Sequence, residues 1–359
     1  MTDPLFASVA PVFKVDGATK GQLARDLLRL DVEETIAGLK SLQATFLGVG
    51  ANDTGEVDDS QYLDGTILDF GKELEVSIGP TGDERTIFKG TISALEAAHG
   101  ESQAANVTVF AEDKLMRLRM TRRAKTYLNM SDADIASALA GEHGLQPDTA
   151  ADGPTYDVVQ QWNQSDLAFL RERAARVAAE VWCDDTKLYF KTRPNRTGTT
   201  ITLVNGNTLI AVELRADLAH QRTKVKVTGY DATQRDAIDE ESGDEAVQAE
   251  ISGGRTGPSV LESALGERVS QRVRDVPIAA TEARAFAKGE MLHRGRAFVT
   301  AVGTTSGTPD LVVGSRVTLQ AVGRPFEGDG YYVTRVAHAY DLRSGHRTMF
   351  EAERATVNA

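Results

Sequence analysis

Six histidines, one cysteine and several paired carboxylates are the side chains with which this sequence could do chemistry. The histidines are His99, His143, His220, His293, His338 and His346. None lies in an HExxH pattern, and none has a Cys or His at metal-ligand spacing. His338 and His346 flank "HAYDLRSGH", a hairpin turn able to bring two imidazoles together, although two polar hairpin residues are the plainer reading. Cys183 stands beside Trp182 in an apolar run and reads as a core residue; a single cysteine offers no intrachain disulfide. The acidic pairs "VDDS", "CDDT" and "IDEES" fall in turns, where carboxylates are solvated. A glycosidase needs one acid in an apolar setting to raise its pKa. Glu180, between Ala179 and Val181, is the one candidate, and its position on the flank of an apolar stripe favours a surface salt bridge. "GPTGDERT" and "SGGRTG" lack the GxxxxGK[ST] spacing that cradles phosphate, and there is no GxSxG elbow. The residues therefore point to no catalytic, cofactor or metal site.

Charge narrows the partners. The net charge of −12 opposes general nucleic-acid binding, which needs cations to displace counterions from phosphate, and opposes docking on an anionic membrane. The one basic cluster, "MRLRMTRRAK" (residues 116–125), reads as a solvated face or a contact to acidic neighbours. No apolar stretch approaches the roughly 18 residues of a membrane helix. The opening "MTDPLFASVAPVF" lacks the basic and apolar regions of a secretion signal, so assembly in a cytoplasm is expected.

These sparse groups sit in an ordinary globular mixture, 41% hydrophobic and 26% charged, long enough for two or three domains. The first hundred residues alternate as strands ("QATFLGV", "ELEVSIG", "RTIFKGTISALEAA", "NVTVFAED") between Gly- and Asp-rich turns such as "GANDTGEVDDS" and "GPTGDE". "TKGQLARDLLRLDVEET" starts with helical spacing and can run on into a strand. From about residue 113 helices appear. "SDADIASALAGEHGL" has Ser131 and Asp134 placed as a capping box, and Gly144 suits its stop. "QSDLAFLRERAARVAAEVW" is the strongest helix, with Leu167, Leu170, Ala174, Val177 and Val181 on one stripe. "VWCDDTKLYFKTRP" reads as a hairpin turning at Asp184 and Asp185. Strands resume near residue 200, an exposed acidic and Gly/Ser-rich excursion with little core of its own follows at 232–262, and "ATEARAFAKGEMLHRG" gives a helix near 281–294.

One pattern is written twice. Leu68, Gly71, Leu74, Val76 and Ile78 match Leu311, Gly314, Val317, Leu319 and Ala321 at a constant offset (311 − 68 = 243). Ile92 and Leu95 match Val333 and Val336 (333 − 92 = 241), and Thr108 and Phe110 match Thr348 and Phe350 (348 − 108 = 240). Three strands recurring in order imply a structural duplication. The expected fold is mainly β: two related antiparallel β-barrel domains, residues 1–110 and 201–359, split by an α+β insertion at 111–200.

Three segments resemble the phage late control gene D family. "VVQQWNQSDLAFLRERAARVAAEVWCDDTKLYF" is similar to its motif, in which Gln or Asn-Ser-Asp leads into Phe-Leu-x-Arg on a long helix. "VKVTGYDATQRDAI" resembles the strand after that family's insertion. "PDLVVGSRVTLQAVGRPFEGDGYYVTRVAHAYDLRSGHRTMFEAER" is similar to its C-terminal signature, and the opening "APVFKVDGATKGQLARDLLRLDVEET" also fits. The family forms the hub of contractile tail baseplates and is similar to the N-terminal part of type VI and extracellular contractile injection spike proteins.

The resemblance implies a homotrimeric structural protein that adapts a six-fold inner tube to a three-fold spike, with baseplate wedge proteins as further neighbours. Because the chain ends at "EAERATVNA" with no OB-fold, β-helix or lysozyme-like domain, the trimeric spike is expected to be a separate protein. The protein would assemble in the cytoplasm and then reside in the virion or a phage-tail-like particle. The expected structural and interface residues are Leu167, Phe169, Leu170, Arg171, Gly71, Gly314, Tyr332, Val333, His338 and Phe350. The alternative is a glycan-cleaving or glycan-binding β-barrel protein used in envelope penetration; the aromatic content of 6% gives it few sugar platforms.

Overall fold

A computed structural model describes residues 10–51, 57–58, 61–80, 82–101, 103–272 and 277–358. The segment before residue 10 and most of the turn-rich stretch at 52–60, both read above, lie outside the described residues.

The first half builds six strands: β1 (Val12–Val15), β2 (Leu27–Thr35), β3 (Ser41–Leu47), β4 (Glu73–Ile78), β5 (Arg85–Gly100) and β6 (Gln103–Glu112). Side chains alternate in and out along them, so Leu74 and Val76 of β4 and Val107 and Val109 of β6 enter one core with Phe13, Phe46 and Ile92. In space the order is β2-β3-β6-β5-β4-β1, every neighbour antiparallel. The C-terminal region repeats this with β7 (Thr200–Val204), β8 (Leu209–Ala216), β9 (Val299–Thr305), β10 (Arg316–Gln320), β11 (Gly328–Asp341) and β12 (Gly345–Arg354). Their order is β8-β9-β12-β11-β10-β7, with only the last pair parallel.

The duplication holds at the level of single residues. Leu42 pairs with both Val32 and Ala111, as Ala301 pairs with both Leu214 and Ala352. The β2 ladder slips between Leu27 and Arg29, and the β8 ladder slips between Leu209 and Ala211 at the equivalent place. A second bulge falls between Ile92 and Ala94 in β5 and between Val333 and Arg335 in β11. Bulges set local twist and strand aim, so matching bulges mean matching curvature. Gly71 and Gly314, both at positive φ (82° and 92°), donate their N–H groups to Ile92 and Val333 respectively, each at 2.9 Å. Only glycine adopts that backbone without strain.

Three expectations need correction. The last repeat match is out by one residue: Val109 opposes Leu95 as Phe350 opposes Val336, so the counterpart of Phe350 is Val109 (350 − 109 = 241), not Phe110. A one-residue slip turns a side chain to the other face, and Phe110 is only half buried where Val109 and Phe350 are in the core. Second, neither six-strand unit closes into a barrel among the described residues. Instead β11 pairs antiparallel with β2, from Arg335↔Thr35 to Asp341↔Arg29, and joins both units, with the two-residue strand Ala18–Thr19 that pairs with β1, into one thirteen-stranded sheet. Strand spacing along the chain carries no information about which edges meet. Third, the long helix is shorter than its apolar stripe, as described next.

The α+β part is inserted at two places. Between β6 and β7 it contributes α1 (Asp132–Glu142), α2 (Asp166–Arg176), an antiparallel ribbon (Arg122–Ser131 with Thr155–Ser165) and a hairpin (Ala179–Asp184 with Lys187–Thr192). The capping box at Ser131 and Asp134 is formed. Helix α2 stops at Arg176 because Ala178 takes φ 54°, so Val181, expected on the helical stripe, lies in the hairpin. Between β8 and β9 the chain adds two more antiparallel strands (Lys224–Asp231, Asp236–Gly243) and α3 (Ala280–Arg296). Leu139, Leu170 and Phe190 from the first insertion share one core with Val225, Val247 and Phe286 from the second. The second set thus packs with the insertion rather than with the C-terminal strands among which 201–359 would group it. The acidic stretch at 232–262 is likewise folded: Ile238, Ala246, Val247 and Leu261 are buried. Its carboxylates are not simply solvated, because Asp239 meets Lys226 at 2.8 Å and Glu240 meets Arg284 at 3.0 Å.

Candidate assembly interface and the junction behind it

The expected site residues fall into three places, α2, the second strand unit and, for Gly71 alone, the first, and most face inward. Leu167, Phe169 and Leu170 are buried on α2, with Phe169 stacked on Tyr127 at 5.6 Å between ring centroids. Ser165 caps the helix by accepting from Ala168 N at 3.2 Å. The buried Asp166 carboxylate accepts from Arg123 at 2.9 Å and Gln161 at 2.9 Å, and meets His143 Nε2 at 2.7 Å. Ser-Asp at this helix start thus serves the N-cap and an ion cluster at once. Arg171 reaches from α2 to the β2–β3 turn, donating to the carbonyls of Ala37 (2.6 Å) and Gly38 (3.1 Å). Gly38 sits at φ 68°, and a Cβ there would lie 2.3 Å from the Val181 carbonyl oxygen, so only glycine allows this approach.

Glu180, the one residue considered as a catalytic acid, is the hub of a buried ion network. Its oxygens accept from Arg193 (3.0 Å) and Arg196 (3.1 Å), and from the Tyr332 hydroxyl of β11. Arg196 continues to Glu34 of β2 at 3.0 Å, Glu34 to Lys40 at 2.9 Å, and Arg193 to Glu353 of β12 at 2.8 Å. The Tyr332 ring lies between the guanidiniums of Arg193 (4.4 Å) and Arg316 (4.3 Å). Burial, then the Glu180 charge, push the Tyr332 hydroxyl pKa upward, keeping it a donor. A carboxylate whose oxygens are already engaged by two guanidiniums and a tyrosine hydroxyl sits in the opposite of the apolar setting a general acid needs. The network instead clamps the insertion to both strand units. Arg193 and Arg196, in "KTRPNRT", carry it, and nothing in their local sequence distinguishes them from loop cations.

His338 and His346 do meet, with ring nitrogens 3.3 Å apart, and His338 also contacts Thr348 Oγ1 at 3.1 Å. Burial and the neighbouring imidazole push the His338 pKa down to about 3; burial pushes His346 to about 4. Two neutral imidazoles packed against a threonine are a core feature, and among the described residues no group of three metal-ligating side chains forms. Val333 and Phe350 are in the core, and the Phe350 ring fills the space above Gly303, where a Cβ would be 2.6 Å away.

The basic cluster at 116–125 is tied to neighbouring groups. Arg119 pairs with Glu112 at 2.6 Å, Arg123 with Asp166, and Lys125 with Glu142 at 2.7 Å. A cleft beside α3 of about 680 Å³ is lined by Asp152, Glu250, Arg284 and Lys288 among others, and no aromatic ring lines it. Glu250 is held there by Arg296 at 2.6 Å.

What the molecule leaves open is strand edge. The ladder of β5 beyond residue 93 is bonded only to β6, and residues 96–100 are exposed. Strand β8 ends the sheet: apart from a single bridge between Leu209 and Asn205 it is bonded, among the described residues, only to β9, with Ile210 49% exposed. Long unpaired edges invite further strands, and soluble proteins ordinarily protect them.

This architecture is that of phage tail proteins. The chain is similar to the 43 kDa tail protein of prophage MuSo2 from Shewanella oneidensis, at TM-score 0.69 and 14% identity over 97% of this chain and 98% of that one. It is similar to a tail protein from Neisseria meningitidis MC58, at TM-score 0.65 and 14% identity over 96% of each chain. It is also similar to the E. coli c3393 protein, at TM-score 0.57 and 12% identity over 91% of this chain and 73% of that one. That protein is a component of the type VI secretion system with structural similarity to the bacteriophage T4 tail proteins gp27 and gp5. A family model for the Alg8 N-terminal domain matches residues 30–341, and the chain belongs to that family. No curated protein sequence matches it.

Proposed function

We propose that the protein is the baseplate hub of a contractile injection machine, a homotrimer that adapts a six-fold inner tube to a three-fold spike. The observation that carries this reading is the internal duplication. Two units with one strand order and matching bulges give each chain two equivalent faces, and three such chains around an axis present six. The likeness to phage tail and type VI secretion proteins across nearly the whole chain supports the same role. The work is mechanical: symmetry matching, nucleation of the tube and transmission of firing, in contact with tube, spike and wedge proteins. In this reading the clamp around Glu180 keeps the insertion rigid against the strand units under load. Assembly takes place in the cytoplasm, and the protein then resides in a virion or tail-like particle.

The glycan reading finds no support in the cleft beside α3, where Glu250 is already paired with Arg296 and no ring is offered as a sugar platform. Native mass spectrometry of the full chain, alone and co-expressed with a candidate spike protein, tests the hub reading. A trimer, or three hub chains with three spike chains, is expected. A monomer in both preparations at every concentration overturns it.

A further inference from the structure

The antiparallel ribbon of the insertion (Arg122–Ser131 with Thr155–Ser165) is apolar on both faces, and only one face is covered. On the inner face Tyr127 pairs with Val159, both buried, and Phe169 of α2 stacks on Tyr127. On the outer face Ala124 pairs with Trp162, Thr126 with Gln160 and Leu128 with Val158, and all six residues are exposed. Trp162 is 73% exposed, Leu128 61% and Val158 50%. Trp162 Nε1 donates to Gln160 Oε1 at 2.9 Å, which ties the indole to this face. A strand with one solvated face carries polar residues there; apolar residues on both faces belong to strands that are covered on both.

We infer that this outer face receives an acidic amphipathic helix of a different protein. The inference goes beyond the hub reading, because the ribbon lies in the insertion and not in the duplicated strand units. Shape selects a helix. Two strands spaced ~4.8 Å apart make a ribbon about 10 Å wide, and the four rises of ~3.4 Å from Ala124 to Leu128 make a face about 14 Å long; two to three turns of a helix about 10 Å across fit it. The covered face shows the same solution, since Leu139 of α1 and Phe169 of α2 share one core with Tyr127 and Val159. Charge selects an acidic helix. Of the five cations in "MRLRMTRRAK", Arg119, Arg123 and Lys125 already meet Glu112, Asp166 and Glu142. Arg122, which continues the outer face past Ala124, bonds only to Asn163 among the described residues. Arg117, exposed in the short helix Leu115–Met120 that leads into the ribbon, has no side-chain partner among them. Carboxylates beside an apolar stripe match both cations and the Trp162 face. A second copy of this chain does not supply such a stripe. Among the described residues, the large apolar side chains exposed on helices are Met120 and Leu265 alone, each on a different helix.

The test titrates the full chain against a labelled synthetic helical peptide with leucine on one face and glutamate on the other, and against a second peptide with lysine in place of glutamate. The glutamate peptide should saturate at micromolar concentration, and the lysine peptide should bind about tenfold more weakly. Trp162→Gln or Leu128→Lys should each weaken the glutamate peptide about tenfold. Arg117→Glu combined with Arg122→Glu should reverse the preference between the two peptides. The substituted residues are all exposed, so the variants should fold by circular dichroism and keep the wild-type oligomer in native mass spectrometry. No saturation by either peptide at millimolar concentration overturns the inference, as does binding that Trp162→Gln and Leu128→Lys leave unchanged. An oligomer lost in Trp162→Gln also overturns it, by placing a second copy on the face. So does an indole fluorescence shift, absent in Trp162→Gln, with N-acetylglucosamine oligomers and not with peptide, which makes the face a saccharide platform. The oligomer is read separately, so a monomer that binds the glutamate peptide overturns the hub reading and leaves the helix site standing.

Discussion

The two strand units are the same fold read twice, and their differences show what each copy is for. In the first unit β2 passes to β3 through a short turn, residues 36–40; in the second the same connection, between β8 and β9, holds the segment 217–298 with α3. In the first unit Ala44 pairs with Val109; in the second Gly303 pairs with Phe350. One copy fills its centre with two medium side chains, the other with a ring over a bare backbone, and the summed volume is similar. The outer edge also differs. That of β11 is covered by β2, so His338 is buried; that of β5 is open, and the equivalent residue is the exposed Ala97. Duplication kept the hydrogen-bond skeleton, while side-chain packing and connections diverged, because the ladder tolerates any residue that respects the alternation.

The comparison can be broken most severely through the core that both insertions share. Leu170→Asp, which puts a carboxylate where no exposure and no partner exists, should cost more than about 4 kcal/mol and leave no folded chain, checked by circular dichroism and soluble yield. Glu180→Gln should cost about 3 kcal/mol in urea unfolding, because it leaves Arg193 and Arg196 buried beside a neutral group. Hydrogen exchange should then rise first at the Ala179–Asp184 hairpin and the adjoining part of β11, while the first unit's core stays protected.

Exchange of the paired core residues sharpens the comparison. Phe350→Val should cost about 2 kcal/mol through the cavity it leaves, and Gly303→Ala about 2 kcal/mol through collision with the ring. Together they rebuild in the second unit the Ala44–Val109 pair of the first, and the double variant should lose clearly less than the sum. Strict additivity in chemical denaturation would mean that the two units do not share this packing solution.

A pH dependence belongs to the second unit alone. The His338 and His346 pKa values lie at about 3 and 4 when folded, against roughly 6.5 in the unfolded chain. Below about 6.5 the unfolded chain takes up protons that the folded one refuses, so the contribution is complete above that pH and is lost as pH falls toward 4. Lys40 near His338 and Arg347 near His346 act in the same direction as burial. The melting temperature of the wild type should therefore drop more between pH 7 and pH 4 than that of His346→Asn; equal slopes would remove the pair from the account.

Several parts of this molecule are set by local sequence. The capping box at Ser131, the hairpin at Asp184 and Asp185, α3 and the glycines at 71 and 314 follow from short-range chemistry, since a cap, a turn or a positive φ is decided by a few neighbouring residues. The duplication is legible too, and it extends beyond three strands: "LLRLDVE" at 27–33 and "LIAVELR" at 209–215 share their alternation and their bulge. The tertiary structure alone decided the rest. It ended α2 at Arg176, against an apolar stripe that runs on, because strand pairing claimed Val181. It turned Glu180 from a possible acid into a clamp, because Arg193, Arg196 and Tyr332 converge from distant parts of the chain. And it chose which edges are closed and which are open. Alternation records only which face of a strand is buried; backbone edges are chemically alike in every sequence, and only the packed sheet assigns them partners.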